Sequence, residues 1–222
     1  MPRSPKPLKL RPDDECHLEP GFWTPVWLPP PVEFCEQMTT IVESIRDEFL
    51  RYKALAEAAI AQLGDGDLSA AGPNHGNSIA IICWHLSGNL RSRFTDFLTA
   101  DGEKPWRKRD EEFESRTVTR EELIAKWNAG WDALLPALGA LTDAQLAATV
   151  TVRQQPMLVH EALHRSLAHL AYHVGQIVYL SKALRGAEWT YLSIPPGQSD
   201  AYNRNPTGER ASAHAAKLSK KS

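Results

Sequence analysis

"HEALHRSLAHLAYHVGQIVYLSKALRG", residues 160–186, carries four of the chain's eight histidines, His160, His164, His169 and His173. The stretch has no proline and ends at Gly186, a residue suited to closing a helix because it enters left-handed backbone without a Cβ penalty. Leu163, Leu167, Leu170, Val174 and Ile177 recur at helical spacing. The pattern predicts one long helix, over 159–185. At about 100° per residue, His160 and His164 share one face and His169 and His173 another. The step from His164 to His169 turns about 140°, with the apolar stripe between the pairs. Either pair suits the inner edge of a helical core, and periodicity does not choose.

Three further helices are predicted upstream. The first, about 39–63, opens with a capping box of Thr40 and Glu43 and carries Ile41, Ile45, Phe49, Tyr52, Ala56, Ala59 and Leu63 on its stripe. The second runs from Asn77 or Ser78 to about Leu98, with Ile79, Ile82, Leu86, Leu90, Phe94 and Phe97. The third opens with the capping box Thr119 and Glu122, carries Leu123, Trp127, Trp131, Leu134 and Leu138, and is expected to kink at Pro136. Thr142 and Gln145 suggest a short helical turn, and "ATVTV" and "PMLV" a brief extended pairing before the last helix. Four amphipathic helices without an internal repeat predict an all-α four-helix bundle. The segment 99–118 is long enough to run the length of a helix, so a long crossover between helices 2 and 3 is allowed.

Residues 1–37 hold nine of the sixteen prolines and no amphipathic period, and are expected to form a disordered N-terminal extension. Residues 38–204 are expected to be the domain, and 205–222 a basic flexible tail. With 42% hydrophobic residues, 23% charged and a formal net charge of -2, the chain reads as globular, with no basic excess for nucleic acid. No apolar run approaches the roughly 20 residues of a membrane span, and no signal-peptide pattern follows the N-terminus, so a cytoplasmic location is expected. Three scattered cysteines make no disulfide framework or CxxC, and Cys83 reads as a small buried hydrophobe.

His85 lies beside the stripe of the second helix, and Asn89, Ser92 and Asp96 continue a polar band. Two histidines at i and i+4 with one from a facing helix can place three nitrogens around one ion and leave positions open, as catalytic metal sites do. An HxxxH pair alone is weak evidence, since most such pairs are interface or solvated histidines.

His85 in "CWHLSGNLRSRF", with His169 and His173 in "AHLAYHVGQIVYL", resembles the three-histidine site of the DinB/YfiT-like superfamily of bacterial four-helix metalloproteins. "DGEKPWRKRDEEFE" at 101–114 and "LSIPPGQSDAYN" at 192–203 are similar to two loop signatures of an uncharacterised branch of it. The resemblance spans about Met38 to Asn203. It implies a DinB-like four-helix bundle with His85, His169 and His173 as metal ligands, and leaves His160 and His164 on the other side. It also implies a divalent ion such as Zn²⁺ or Ni²⁺, and the possibility of a homodimer.

Several superfamily members use a low-molecular-weight thiol, so the resemblance implies a small-molecule substrate and, foremost, a thiol-dependent S-transferase; no catalytic side chain is assigned. The alternatives are a metal-dependent hydrolase and a non-catalytic metal- or ligand-binding stress protein. The loops are expected to supply a pocket through Arg107, Arg109, Asp110, Ser193, Gln198, Ser199 and Asn203, with Asn89 and Gln176 orienting ligands. Arg107 and Arg109 suit a carboxylate clamp. The plainer reading, that Arg109 and Asp110 pair within the loop and pin the crossover, is preferred.

Overall fold

The computed structural model describes residues 39–220. The proline-rich extension, with Cys16, Trp23, Trp27 and Cys35, lies outside the described residues, all of which belong to the unit formed by residues 38–222. They are mostly helical, an all-α fold with one small two-stranded sheet. In chain order the elements are α1 (Ile41–Ile60), α2 (Asp65–Leu68), α3 (Ile79–Phe94), α4 (Arg120–Gly139), β1 (Thr149–Val152), β2 (Gln155–Leu158), α5 (Val159–Arg185), α6 (Ser199–Asn203) and α7 (Ala211–Leu218).

Local chemistry sets the helix ends. Thr40 Oγ1 accepts from the Glu43 amide at 3.1 Å while Glu43 accepts from the Thr40 amide at 2.8 Å, so the box satisfies two amides at once. Asp143, in a short turn at 143–147, accepts from the Ile41 and Val42 amides, both at 3.0 Å, and ties that turn to the start of α1. Thr119 and Glu122 open α4 in the same way. Pro136 lies inside α4 without ending it. Gly186, at φ +60°, closes α5. The second predicted helix ends earlier than expected, at Phe94, because Asp96 takes left-handed backbone at φ +51°.

Side-chain pairings fix the directions of the long helices. Lys126 stands over Trp84, Gly130 faces Ser87, and Phe94 and Ala137 share a surface hollow, so α3 and α4 run the same way. The connection 95–119 therefore travels back along them. Arg120 donates to the Ile60 and Leu63 carbonyls and Trp127 Nε1 to Glu57 at 3.1 Å, which sets α4 antiparallel to α1. Contacts of α1 with α5, α5 with α3, α3 with α4 and α4 with α1 close a ring. Inside it Phe49, Leu86, Leu90, Trp127, Trp131, Leu163, Leu170 and Ile177 are buried.

The hairpin β1–β2 pairs Thr149 with Leu158 and Val152 with Gln155. Its turn residues Arg153 and Gln154 both adopt positive φ, 54° and 63°, without a glycine. The Asp101 carboxylate holds them, accepting from the Arg153 amide at 2.8 Å and the Gln154 amide at 2.7 Å. Hydrogen bonds from the Glu103, Gln154 and Arg153 amides hold that carboxyl down at about 2.

The chain end departs from the expected flexible tail. Residues 211–218 form α7, which packs on α1 with Leu218 only 1% exposed. Ala215 and Leu218, three apart, face the core together, and His214 Nε2 lies 3.1 Å from the Leu192 carbonyl. One large apolar residue, Leu218, among alanines was too little to show this helix through its basic surroundings. No helix among the described residues is long and apolar enough to cross a membrane.

Candidate metal centre

The antiparallel approach of α3 and α5 brings His85 against His169 and His173, which lie one turn apart on α5. Ring centroids are 5.1 Å apart for His85 and His169, 4.9 Å for His85 and His173, and 4.7 Å for His169 and His173. One nitrogen from each lies within 4.8 Å of the other two. His85 and His173 are 4% and 7% exposed; His169 is half-buried. Burial, reinforced by His173, His85, Arg107 and Arg93, pushes His169 down to about 3. Burial also pushes His173 down to about 4, against the opposing effect of the hydrogen bond its Nδ1 makes to the Gln176 oxygen. Both rings are therefore neutral near pH 7, the form that coordinates metal.

Two of the three rings are oriented from behind. His85 Nδ1 lies 2.9 Å from Glu112 Oε2. Glu112 is gripped by Arg107, Nε to Oε1 at 2.8 Å and a terminal guanidinium nitrogen to Oε2 at 2.9 Å. Burial raises the Glu112 carboxyl, but the hydrogen bonds from Arg107 and His85 outweigh it and leave the group below its ordinary value. An ionised carboxylate only accepts, so His85 Nδ1 donates and its Nε2 lone pair faces His169 Nε2, 3.1 Å away. His173 Nδ1 lies 2.8 Å from Gln176 Oε1 and is oriented in the same sense.

A cation bound by imidazoles at about 2.0–2.1 Å in tetrahedral geometry separates their nitrogens by about 3.3 Å, close to the His85–His169 spacing. The donor set fits a divalent transition ion. Carboxylate or amide partners on the far ring nitrogens are what metal-binding histidines characteristically have.

Glu112 owes its place to Gly88 on α3. A Cβ at position 88 would stand 2.7 Å from Glu112 Cδ and collide with its Oε1. Nothing in the periodicity of either segment marks this pair. The signals available were a glycine at the edge of a polar helix face and an acidic cluster in the crossover.

The histidines open onto a cavity of about 410 Å³. Asn89 and Arg109 line it. Arg107 also lines it, but is spent on Glu112 rather than standing free as a clamp. Asp110 is fully exposed and 3.7 Å from Arg109. Gln176 touches His173 from outside the cavity. Ser193 and Gln198 do not reach this cavity; they line a second one, of about 710 Å³, under α6 and α7. Ser199 and Asn203 are exposed on α6 and line neither. The reason is positional: the loop after α5 leaves from the end of the helix remote from His169. Sequence reasoning also passed over Arg93, Arg153, Arg165 and Tyr172, all on the cavity wall.

His160 and His164 stay apart from the cluster. His160 Nδ1 lies 3.0 Å from the Leu146 carbonyl, and His164 is exposed. Cys83, the one cysteine among the described residues, is fully buried and its thiol is pushed up by burial, so it offers no thiolate to the site.

No curated protein matches the chain. A model of a family described as proteins of unknown function, DUF1572, matches residues 36–198. That span includes α1 through α5 and all three converging histidines, and stops before α6. The chain belongs to the DUF1572 family.

Proposed function

We propose that this chain is a divalent-metal-dependent enzyme on a DinB-like four-helix bundle, with α1, α3, α4 and α5 as the bundle and His85, His169 and His173 as ligands. The observation that carries it is the convergence of three imidazoles, two with fixed Nδ1 partners, at the mouth of a cavity. Three protein ligands with open space in front are the arrangement of catalytic rather than structural sites.

The proposed reaction is attack of a small thiol's sulfur on an electrophilic carbon, with Zn²⁺ or Ni²⁺ as the resident ion. A new C–S bond forms, the S–H proton passes to solvent and the carbon's leaving group departs. A divalent ion there would supply Lewis acidity, lowering the pKa of a thiol so that it reacts as thiolate. The chain's residues do the rest. Glu112, held by Arg107, fixes the His85 tautomer, and Gln176 does this for His173. Phe113, centred 4.7 Å from His85, and Met157 add apolar surface to the cavity wall. The identification of a thiol rests on the resemblance of the three-histidine motif to a superfamily of which several members use a low-molecular-weight thiol.

Purified protein should contain about one divalent ion per chain by elemental analysis. It should turn over a chromogenic electrophile only with added thiol. Turnover of an ester or amide panel without thiol would replace the transferase with a hydrolase. A protein that takes up no metal on titration would remove both.

A further inference from the structure

The cavity in front of the histidines is lined by five arginines, Arg93, Arg107, Arg109, Arg153 and Arg165, and by no aspartate or glutamate. The formal net charge of the whole chain is -2, so the bias is local. Three carboxylates pair with these guanidinium groups without lining the cavity. Glu112 takes Arg107 at 2.8 Å, Glu103 is shared by Arg93 at 3.2 Å and Arg153 at 3.0 Å, and Asp110 stands 3.7 Å from Arg109. Arg165 has no ion-pair partner among the described residues.

The two least committed arginines are placed for a ligand. Arg165 precedes His169 by four residues on α5 and so shares its face. The Arg109 guanidinium lies 5.0 Å over the Phe113 ring, which itself packs on His85. Its exposed pairing with Asp110 is of the kind that contributes little and yields readily to a better anion. Planar guanidinium forks match carboxylate and phosphate groups in two-point contacts. A neutral ligand would leave these charges crowded together, and a divalent cation beside neutral imidazoles would add to the excess. A cavity of about 410 Å³ suits a small molecule rather than a polymer.

We propose that this cavity binds a small organic anion, its carboxylate or phosphate group held by Arg109 and Arg165 and its remainder lying against the three histidines. The assignment of the reacting end rests on the metal-centre reading above; the assignment of charge rests on the arginines.

The test is calorimetric titration of full-length, zinc-loaded protein with glutarate, methylphosphonate and neutral glutaramide. At least one anion should bind saturably and weaken as salt rises, and the diamide should not bind. Preference between the two anions identifies the acidic group. Arg109→Gln with Arg165→Gln should weaken the preferred anion about tenfold or more, while zinc stays near one per chain. Unchanged anion affinity in that variant, or equal binding of the diamide, would overturn the proposal and leave the metal reading standing. Arginine-dependent anion binding in a wild-type protein that takes up no zinc would uphold the anion site and remove the metal centre.

Discussion

The Glu112 carboxylate occupies the space in which a side chain at Gly88 would begin, and from there it reaches His85 Nδ1 at 2.9 Å. A helix-interior glycine costs about 1 kcal/mol relative to alanine, so its presence at position 88 needs a reason. The reason is the approach of the crossover to α3. Gly88→Ala should push Glu112 away and release His85, lowering zinc affinity about 10–100-fold, as losing an outer partner of a ligand does. Gly175 on α5 has nothing within 4 Å of an added Cβ. Gly175→Ala should therefore leave zinc affinity intact and raise stability by up to about 1 kcal/mol. Competitive zinc titration and thermal melts of the two variants check the contrast; equal effects on zinc would refute it.

Glu112 serves two masters, His85 and Arg107, and the two roles are separable. Glu112→Gln keeps an oxygen for His85 but leaves the buried Arg107 charge unpaired, which should cost about 3–5 kcal/mol of stability. Arg107→Met in the same chain removes the orphaned charge and should restore most of that loss. Zinc affinity should stay low in the double variant, because an amide polarises the imidazole less than a carboxylate. Urea denaturation and zinc titration of the single and double variants read the two effects independently. Recovery of zinc affinity along with stability would mean Glu112 matters only to packing.

The two HxxxH pairs of α5 differ in consequence. His169→Ala should abolish metal uptake, since it removes one of three converging nitrogens. His160→Ala should leave uptake intact and cost about 1 kcal/mol through the lost bond to the Leu146 carbonyl. Elemental analysis after metal loading decides. If His160→Ala were the damaging change, the site would lie on the other face of α5.

What could be read in the sequence and what could not follow one physical division. Helix ends signalled by local bonds, at Thr40, Thr119 and Gly186, were legible because the capping partner lies within a few residues. The hairpin "ATVTV" to "PMLV" was legible for the same reason. The choice between His160–His164 and His169–His173 was not, since both pairs flank one apolar stripe and only the position of α3 distinguishes them. Glu112 was invisible because its local partner Arg107 does not mark it as part of a site, and what does is His85, 27 residues back, and the bare space over Gly88. Helix α7 was missed because Ala215 and Leu218 are a faint stripe, made significant only by the surface of α1. Ser193, Gln198 and Asn203 were expected near the histidines from loop membership alone, which carries no information about which end of the molecule a loop occupies.

Acid should destabilise the metal-depleted protein well before ordinary carboxylates protonate. His169 and His173 titrate near 3 and 4 in the folded chain, against about 6.5 when unfolded. Between those values the unfolded chain binds protons that the folded chain refuses. The associated stability is present above about pH 6.5 and is lost as pH falls toward 4. Glu112, also lowered, adds a loss of the same sign at still lower pH. Urea midpoints of chelator-treated protein should fall steadily from pH 7 to 4.5. His169→Phe, with one fewer refused proton, should give a shallower slope. A midpoint flat or rising across that range would show that the buried imidazoles do not govern it.

Removing the metal should abolish activity and leave the fold. The core that closes the helices, including Phe49, Leu86, Trp127, Trp131, Leu163 and Ile177, is buried without help from the histidines. The site sits to one side of it, between α3 and α5, facing a cavity. Small domains held together by zinc lack such a core and unfold when the ion is taken away. Here burial of the apolar stripes supplies the folding free energy, and occupancy adds only the binding term, about 2.7 kcal/mol at a free-ion concentration 100 times Kd. Far-ultraviolet circular dichroism at neutral pH should therefore be unchanged by chelator, with the melting temperature lowered by several degrees. Activity toward the thiol and electrophile pair should vanish on chelation and return with added zinc. Collapse of the helical signal on chelation would make the ion structural and defeat the enzyme reading.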